Sequence, residues 1–309
     1  MPVDEVYRKQ VALLIKTVPL VAPETVFALK GGTAINLFLR DMPRLSVDID
    51  LTYVPVADRE SSLKEIDAAL HRIKKHIERG IPGAHVSTSA PKDGKYITKL
   101  NVRADGAQVK IEVTPVLRGC VYEPAVRAVS ARVEEEFGFA EMPVVSFADL
   151  YAGKIVAALD RQHPRDLFDV RDLLAHEGIV DNLRKAFIVY VLSHDRPMAE
   201  VLAPTRRDIS SEYKRGFEGM LDLPVTLDEL LQAREDLIAE IVGKMPDRHR
   251  RFLISIKRGE PDWTLLDLPD VKDLPAVRWK LENLSKLSSE KRAQLLAGLN
   301  AALGMKETS

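Results

Sequence analysis

Two aspartates, Asp48 and Asp50, are the residues of this chain whose spacing most clearly suggests chemistry. Apolar and polar residues alternate over residues 44–52, which is the pattern of a strand with one buried face. Because successive side chains of a strand point to opposite faces, both carboxylates and Ser46 share the polar face. Neighbouring carboxylates repel each other unless the face is wet or a cation lies between them. Mg²⁺ fits best, since it takes a few carboxylate oxygens and leaves positions for substrate phosphates; a solvated acidic face is the alternative.

A glycine turn lies upstream of these carboxylates. The short apolar run 26–29 predicts a strand, and Gly31-Gly32 ends it. Thr33 then stands where it can cap a helix that runs to about Arg40. Because the backbone N–H groups at a helix start favour phosphate, Gly31, Gly32 and Thr33 are candidate phosphate ligands.

A third carboxylate, Glu112, lies on a strand predicted over residues 108–116. The odd-numbered residues of its centre are apolar, so Glu112 shares the other face with Lys110 and Thr114. A third acid on a strand beside an Asp-x-Asp pair is what a two-metal phosphoryl or nucleotidyl transfer site needs. The alternative is a surface pair between Glu112 and Lys110.

Two predicted helices further along the chain carry a second group of charges. The residue pattern predicts them over 147–160 and 165–175. Lys154 lies on the first helix, and Asp166 and Asp169, three positions apart, are neighbours on the second. The alternative is structural: a solvated lysine, with the aspartates and nearby arginines forming an ionic network that clamps the two helices together.

These residues need strands and helices to position them. An amphipathic helix is predicted over residues 4–17, and another, over 58–79, follows the carboxylate strand. Further strands are predicted over 85–89 and 96–102. The dipeptide Asp105-Gly106 predicts a hairpin that leads into the Glu112 strand. From about residue 181 the pattern predicts helices at 183–193, 226–242, 246–258 and 281–303.

The composition describes an ordinary soluble protein. Of 309 residues, 46% are hydrophobic and 29% are charged, and this length has room for two domains. The formal net charge of −1 is no global nucleic-acid signature, so any RNA contact must come from local basic clusters. The single Cys120 excludes an intrachain disulfide. With no apolar stretch of about 18 residues and no signal-peptide pattern, we expect a cytoplasmic protein without a membrane segment.

The motifs resemble a known family. Gly31-Gly32-Thr33, followed by RLSVDID at 44–50, resembles the first motif of the DNA polymerase-beta-like nucleotidyltransferase superfamily. More narrowly, it resembles the AbiEii/AbiGii toxins, the toxin half of type IV toxin–antitoxin and phage abortive-infection pairs. Lys154 and the later RDLFD at 165–169 are similar to the second half of such toxins. Many members of the wider superfamily have Gly-Ser where this chain has Gly-Gly-Thr.

This resemblance implies an α/β fold. We expect a nucleotidyltransferase-type mixed sheet in a catalytic domain over residues 1–125. A helical C-terminal domain over residues 126–309 would complete the nucleotide and acceptor cleft, with the active site between Asp48/Asp50 and Lys154.

The resemblance also implies an activity. The chain is expected to be a toxin that adds a nucleoside monophosphate from an NTP to an acceptor, the first candidate being the 3′ end of tRNA, and so blocks translation. Two Mg²⁺ ions are expected on Asp48, Asp50 and Glu112. Lys154 is expected to bind nucleotide phosphate, and one aspartate, either Asp166 or Asp169, is expected to be essential. The expected partner is a separately encoded antitoxin.

Ser46 and the acceptor leave alternatives open. In some relatives the hydroxyl residue two positions before the first aspartate is phosphorylated, which silences the toxin, and Ser46 occupies that position in the expected nucleotide site. The alternative is that Ser46 only hydrogen-bonds beside the metal site. The acceptor could instead be a small-molecule (antibiotic-like) or protein hydroxyl. A non-catalytic nucleotide-binding module is the non-enzyme alternative.

Overall fold

The computed structural model describes residues 5–92, 94–221 and 223–305. The chain divides into two compact units. The first spans Met1–Ser146 and Lys214–Val225, and the second spans Phe147–Tyr213 and Thr226–Ser309. The first unit therefore extends 21 residues beyond the boundary expected at residue 125 and also takes in a segment from the later, mainly helical part of the chain. In the described ranges, no helix has the length and apolar character needed to cross a membrane.

The first unit contains a sheet with helices against it. In chain order its elements are α1 (Glu5–Val21), β1 (Phe27–Lys30), α2 (Gly31–Thr33), a π-helical turn (Ala34–Leu39), β2 (Asp48–Tyr53), α3 (Arg59–Gly80), β3 (His85–Ser89), β4 (Lys99–Ala104), β5 (Ala107–Val113), β6 (Ala125–Ala128), α4 (Ala131–Phe137), β7 (Glu141–Val144) and a 3₁₀ turn (Glu218–Met220).

The seven strands form one mixed sheet in the order β3-β4-β5-β2-β1-β7-β6. β2 runs parallel to β5, β1 runs parallel to β7, and the other neighbours are antiparallel. Apolar side chains such as Ile49, Leu100 and Ile111 are fully buried on one face, where α1 and α3 pack. Burial of this face holds the register of β2 and β5, because a slip of one residue would expose every apolar side chain.

The hairpin predicted at Asp105-Gly106 is confirmed. Ala104 pairs with Ala107, and the two turn residues have positive φ angles of 50° and 74°, as a two-residue hairpin turn of this type requires. The strand at His85–Ser89 and the helix after Asp58 are confirmed as well, the latter with Asp58 accepting a hydrogen bond from Ser61 N–H as the N-cap. The first position of the helix predicted over 4–17, Asp4, lies outside the described residues.

Two local predictions are wrong. The carboxylate strand begins at Asp48 and not at residue 44, because the backbone of Arg44 and Leu45 pairs with the segment around Met220 and Leu221 instead. Thr33 is not a helix cap: the helix already begins at Gly31. The Thr33 hydroxyl instead donates a hydrogen bond to the backbone carbonyl of Asp48, and Lys30 occupies the N-cap position.

The second unit is helical. Its helices are α5 (Phe147–Asp160), α6 (Pro164–His176), α7 (Asp181–Ser193), α8 (Met198–Leu202), α9 (Ser210–Gly216, which runs on into the first unit), α10 (Leu227–Ile238), α11 (Asp247–Arg258), α12 (Pro275–Ser285) and α13 (Ser289–Leu303), with short π and 3₁₀ turns at Ala239–Gly243, Trp263–Leu265 and Pro269–Asp273. The helices expected after residue 181 are confirmed, and the run predicted over 281–303 is the end of α12 followed by α13.

Candidate active site

The register of the strands places the three predicted carboxylates, Asp48, Asp50 and Glu112, on one face of the sheet. β2 pairs with β5 so that Asp48 lies opposite Lys110 and Asp50 lies opposite Glu112. On the other side of β2, Lys30 at the end of β1 lies opposite Asp50. The strand pairing thus places Lys30, Asp50 and Glu112 in one row across three strands, with Asp48 and Glu112 about one-third exposed.

Lysines hold Glu112 and Asp48 in place. Lys110 Nζ lies 3.1 Å from Glu112 Oε2 and 3.9 Å from Asp48 Oδ1, and Lys99 Nζ lies 3.3 Å from Glu112 Oε1. Partial burial raises the pKa of Glu112, but Lys110 and Lys99 outweigh it and bring that pKa below its ordinary value. Burial lowers the pKa of Lys110, but Asp48 and Glu112 raise it above its ordinary value. The face therefore carries ionised groups of both signs at neutral pH.

The glycine turn packs directly on Asp50. Gly31 has a φ of +76°, and a Cβ added there would lie only 2.6 Å from Asp50 Oδ2. A Cβ on Gly32 would lie 2.8 Å from Arg44 Nη2 and 3.0 Å from Ser46 Oγ. Only glycine allows this approach of backbone to side chains. The helix start, which attracts anions, and the carboxylate that attracts cations consequently lie at one place.

Thr33 and Ser46 link the turn to the carboxylate strand. Their hydroxyls are 3.0 Å apart, and the Thr33 hydroxyl also bonds the Asp48 carbonyl. Both side chains are buried, at 1% and 8% exposure. Because buried hydroxyls with satisfied hydrogen bonds are fixed in orientation, this pair sets the distance between the helix start and the strand.

Sequence reasoning gave no role to two cations beside the turn. Arg44 is 2% exposed, and its Nη1 donates to the Leu45 carbonyl at 3.0 Å. Lys30 is half-buried and donates to Thr114 Oγ1 at 2.8 Å; burial lowers its pKa below the ordinary value even though Asp50 raises it. The signal for Lys30 was its place at the end of β1, immediately before Gly31. For Arg44 the sequence offers no signal, since an arginine in an alternating strand is normally exposed.

Asp48, Asp50 and Glu112 match a divalent metal in donor type, since carboxylate oxygens are the ligands that Mg²⁺ prefers. Within residues 5–92, 94–221 and 223–305, no three His, Cys, Asp or Glu side chains are grouped closely enough to hold a metal ion. The Lys110 ammonium instead provides the positive charge between Asp48 and Glu112. In donor chemistry the three carboxylates therefore fit magnesium, and Lys110 stands where a metal ion would supply the positive charge.

The second group of predicted residues meets in the second unit. Lys154 Nζ lies 2.8 Å from Asp166 Oδ1 and 3.0 Å from Asp169 Oδ2. The three side chains are 7%, 1% and 0% exposed. Arg161 adds a bidentate contact to Asp166, with Nε 2.6 Å from Oδ2 and Nη2 3.0 Å from Oδ1. Burial raises the pKa of Asp166, but Lys154 and Arg161 bring it far below its ordinary value.

The break between α5 and α6 positions this network. His163 is the N-cap of α6, where its Nδ1 accepts from Arg165 N–H at 3.1 Å, and Pro164 follows at the first helical position. Gln162 has a φ of +53° and is fully buried. Its amide donates to the Thr205 carbonyl at 2.8 Å, which holds the turn. The turn brings Asp166 back over Lys154.

The predicted residues thus fall into two groups, each in its own unit. Gly31, Gly32, Thr33, Ser46, Asp48, Asp50 and Glu112 lie in the first unit, and Lys154, Asp166 and Asp169 lie in the second.

Comparison with known proteins identifies the class. The family described as the nucleotidyl transferase AbiEii toxin of type IV toxin–antitoxin systems matches residues 13–283. The chain therefore belongs to this family and is a nucleotidyltransferase toxin. The resemblance seen in the motifs, the α/β fold with a helical C-terminal region and the enzyme class are all confirmed.

A solved structure supports the fold. MenT4, a nucleotidyltransferase toxin from Mycobacterium tuberculosis H37Rv, superposes with a TM-score of 0.61 over 90% of this chain and 93% of MenT4, at 16% sequence identity. A search of curated protein sequences finds no match. Membership in a type IV toxin–antitoxin family implies an antitoxin partner and an NTP substrate, and nucleotidyltransferases generally use a divalent metal.

Proposed function

We propose that this toxin transfers a nucleoside monophosphate from an NTP to the 3′ end of tRNA in a Mg²⁺-dependent reaction, and so blocks translation. The observation that carries the proposal is the approach of Gly31 to Asp50, where a Cβ would lie 2.6 Å from the carboxylate. A triphosphate on the turn and a metal on Asp50 would then share one site. Action on tRNA places the reaction in the cytoplasm, and abortive infection is the setting that we propose.

The residues of the first unit would bind and orient the nucleotide. Asp48 and Asp50 would hold Mg²⁺, with Glu112 as the third carboxylate, replacing the positive charge that Lys110 now provides. Bound magnesium lowers the pKa of the attacking hydroxyl and stabilises the pyrophosphate that leaves. The backbone N–H groups of Gly31 and Gly32 would bind phosphate oxygens, which holds the α-phosphorus for in-line attack.

Lys154 is the proposed phosphate ligand of the second unit. An ammonium group has three N–H donors, and Asp166 and Asp169 account for two of them among the described residues. The third can bind a phosphate oxygen without disturbing the buried pairs. The two aspartates then act by fixing the direction of that third donor, and Arg161 restrains Asp166 in turn.

Transfer of label from each α-labelled NTP into total tRNA tests this proposal. We expect label in tRNA with the wild type and with Asp228→Ala, an exposed control on α10, but a loss of at least about a hundred-fold in Asp48→Ala, which removes a metal ligand. The nucleotide that delivers label identifies the donor. Label that enters a protein or small molecule but no RNA would overturn the tRNA acceptor. Absence of any transfer, with Mg-NTP binding intact, would favour a non-catalytic binding module.

We further propose that phosphorylation of Ser46 silences the toxin. Ser46 Oγ lies beside Gly32 and bonds Thr33, so a phosphate there would fill the space against the turn that the nucleotide needs. It would also add about −1.5 to −2 charges beside Asp48 and Asp50. Ser46→Ala should stay active after treatment with a protein kinase that inactivates the wild type. Equal inactivation of both proteins would refute this role and leave Ser46 as a hydrogen-bonding residue.

A further inference from the structure

The sheet of the first unit has a polar face that extends well beyond the carboxylates. From β2 through β5 and β4 to β3, the register aligns its side chains in three rows across the strands: Asp50, Glu112 and Lys99; then Asp48, Lys110 and Asn101; then Gln108, Arg103 and His85. Two residues of a strand rise about 7 Å, so the third row lies about that distance beyond the second. From β5 through β4 to β3 the strands are antiparallel, and antiparallel strands tolerate water on one side of the sheet.

The third row differs from the first two in its charge balance. Lys110 and Lys99 are both paired with Glu112. Arg103 is exposed and donates its Nε to Gln108 Oε1 at 2.8 Å, and no carboxylate in the described part of the chain forms an ion pair with it. The outer end of the face therefore presents a guanidinium that forms no ion pair with any described residue, and His85 lies directly opposite it on β3.

A cavity opens at this end of the sheet. Its volume is about 410 Å³, and its lining includes His85, Arg103 and Gln108 together with Asp105 and Gly106 of the β4–β5 turn. The cavity is shallow and open to solvent, so it could hold one residue of a longer strand that continues beyond it. The side chains of the cavity offer four kinds of hydrogen-bonding group: a guanidinium, an imidazole, an amide and a carboxylate.

This chemistry suits one nucleotide of a single strand. Unpaired bases stack on the planes of arginine and histidine side chains, and their edges bond amides such as that of Gln108. The guanidinium can also bind a backbone phosphate. A single-stranded nucleic acid is held by this combination of positive charge and stacking surfaces. The carboxylate Asp105 suits ribose hydroxyls, which accounts for an acid at the margin of an anion site.

We propose that His85, Arg103 and Gln108 form an acceptor subsite, which binds a nucleotide of the single-stranded 3′ segment of the RNA that receives the new nucleotide. This subsite rests on the proposed function. It lies on the same face as Asp48 and Asp50, so an RNA strand bound there can run along the strands toward the carboxylates.

The test is RNA binding without NTP or metal, measured by fluorescence anisotropy with a labelled eight-nucleotide single strand. Variants Arg103→Gln and His85→Ala are compared with Arg79→Gln, a matched control at the exposed end of α3, which packs on the opposite face. His85→Ala should weaken binding about five-fold or more, the effect of one lost stacking contact. Arg103→Gln should weaken binding and lower the slope of log K against log salt by about 0.7, the effect of one lost phosphate contact. Arg79→Gln should bind as the wild type does.

Three results would overturn the subsite: a wild type that does not bind the strand, an Arg103→Gln protein that binds as the wild type does, or an equal loss in Arg79→Gln, which means non-specific attraction. Calorimetry with each Mg-NTP, repeated on Arg103→Gln, keeps the two proposals apart. If Arg103→Gln binds each Mg-NTP and labels tRNA as the wild type does, and also binds the single strand equally well, the subsite alone is refuted. Absence of label in tRNA with the wild type would refute the proposed tRNA acceptor, whatever the strand-binding result.

Discussion

Replacing Gly31 by alanine tests whether the turn and Asp50 work as one site. The substitution has two separable effects. A φ of +76° is unfavourable for any L-residue and costs about 1–2 kcal/mol of stability. The added Cβ would also lie 2.6 Å from Asp50 Oδ2 and 3.2 Å from Asp50 Cβ, where ordinary contact begins at 3.4 Å. The carboxylate oxygen must therefore move by about 0.8 Å, the difference between 3.4 and 2.6 Å.

Gly178→Ala is the matched control for the backbone effect. Gly178 has a φ of +67°, and a Cβ added there would meet nothing within 4 Å. Gly178→Ala should lose about 1–2 kcal/mol in urea unfolding and Gly31→Ala at least as much, since both force an alanine into the left-handed region and only Gly31→Ala adds the contact with Asp50. Only Gly31→Ala displaces a proposed metal ligand. A misplacement of about 1 Å at a reacting centre costs about a hundred-fold in rate, so label transfer should fall by about that factor in Gly31→Ala and stay near wild type in Gly178→Ala.

The refuting result is specific. If Gly31→Ala transfers label as fast as Gly178→Ala does, the contact between the turn and Asp50 has no part in the reaction. If both variants lose activity equally, the loss reflects stability and not the position of the carboxylate. Circular dichroism at the assay temperature shows that each variant is folded when its rate is measured.

Four further predictions concern stability. Lys154→Met should lower the free energy of unfolding in urea by about 3–5 kcal/mol, because it leaves the buried carboxylates of Asp166 and Asp169 without the lysine that they share. A decrease below about 1 kcal/mol would refute the stabilising role of this network. The pKa of Asp166 is lower in the folded than in the unfolded state, so its full contribution to stability is present above about pH 4 and is lost as the pH falls further. Asp166→Asn should remove this dependence of the urea midpoint on acid pH, and an unchanged dependence would show that Asp166 is not its source. His249 is fully buried, neither ring nitrogen has a hydrogen-bond partner among the described residues, and burial lowers its pKa to about 4. The stability of the protein should therefore fall as the pH drops from about 6.5 toward 4. His249→Leu should abolish this pH dependence and leave the stability at pH 8 equal to or higher than that of the wild type. Thr33→Val should cost about 1 kcal/mol through the lost bond to the Asp48 carbonyl, and a neutral effect in thermal unfolding would show that water replaces the hydroxyl.

Local sequence patterns predicted the strands and helices in which buried and exposed residues follow the repeat of a strand or a helix. β5 is the clearest case, since its buried and exposed residues alternate throughout and its turn has a residue pair that fixes the hairpin. Glu112 was placed on the correct face for that reason. The amphipathic helices α3 and α6 were predictable on the same grounds, since each presents one apolar side to its unit.

The rest depended on contacts between distant parts of the chain. β6 is exposed at all four positions and lies at the edge of the sheet, so its sequence carries no alternation to detect. Arg44 is buried because the segment around Met220 and Leu221 pairs with its backbone. The sequence near Arg44 does not predict this long-range pairing. The lysine partners of Glu112 and Asp48 follow from register, which the sequence of one strand cannot specify.

The two charged groups differ in burial, and burial decides what each can do. Lys110, Asp48 and Glu112 are about one-third exposed, and ion pairs at such exposure contribute roughly 0–1 kcal/mol, so a metal ion can replace the lysine at little cost. Lys154, Asp166 and Asp169 are almost wholly buried, and breaking such a network costs several kcal/mol. The exposed group therefore suits the metal site proposed for Asp48, Asp50 and Glu112. The buried group keeps its pairs, so the phosphate role proposed for Lys154 relies on the one N–H donor that Asp166 and Asp169 leave over.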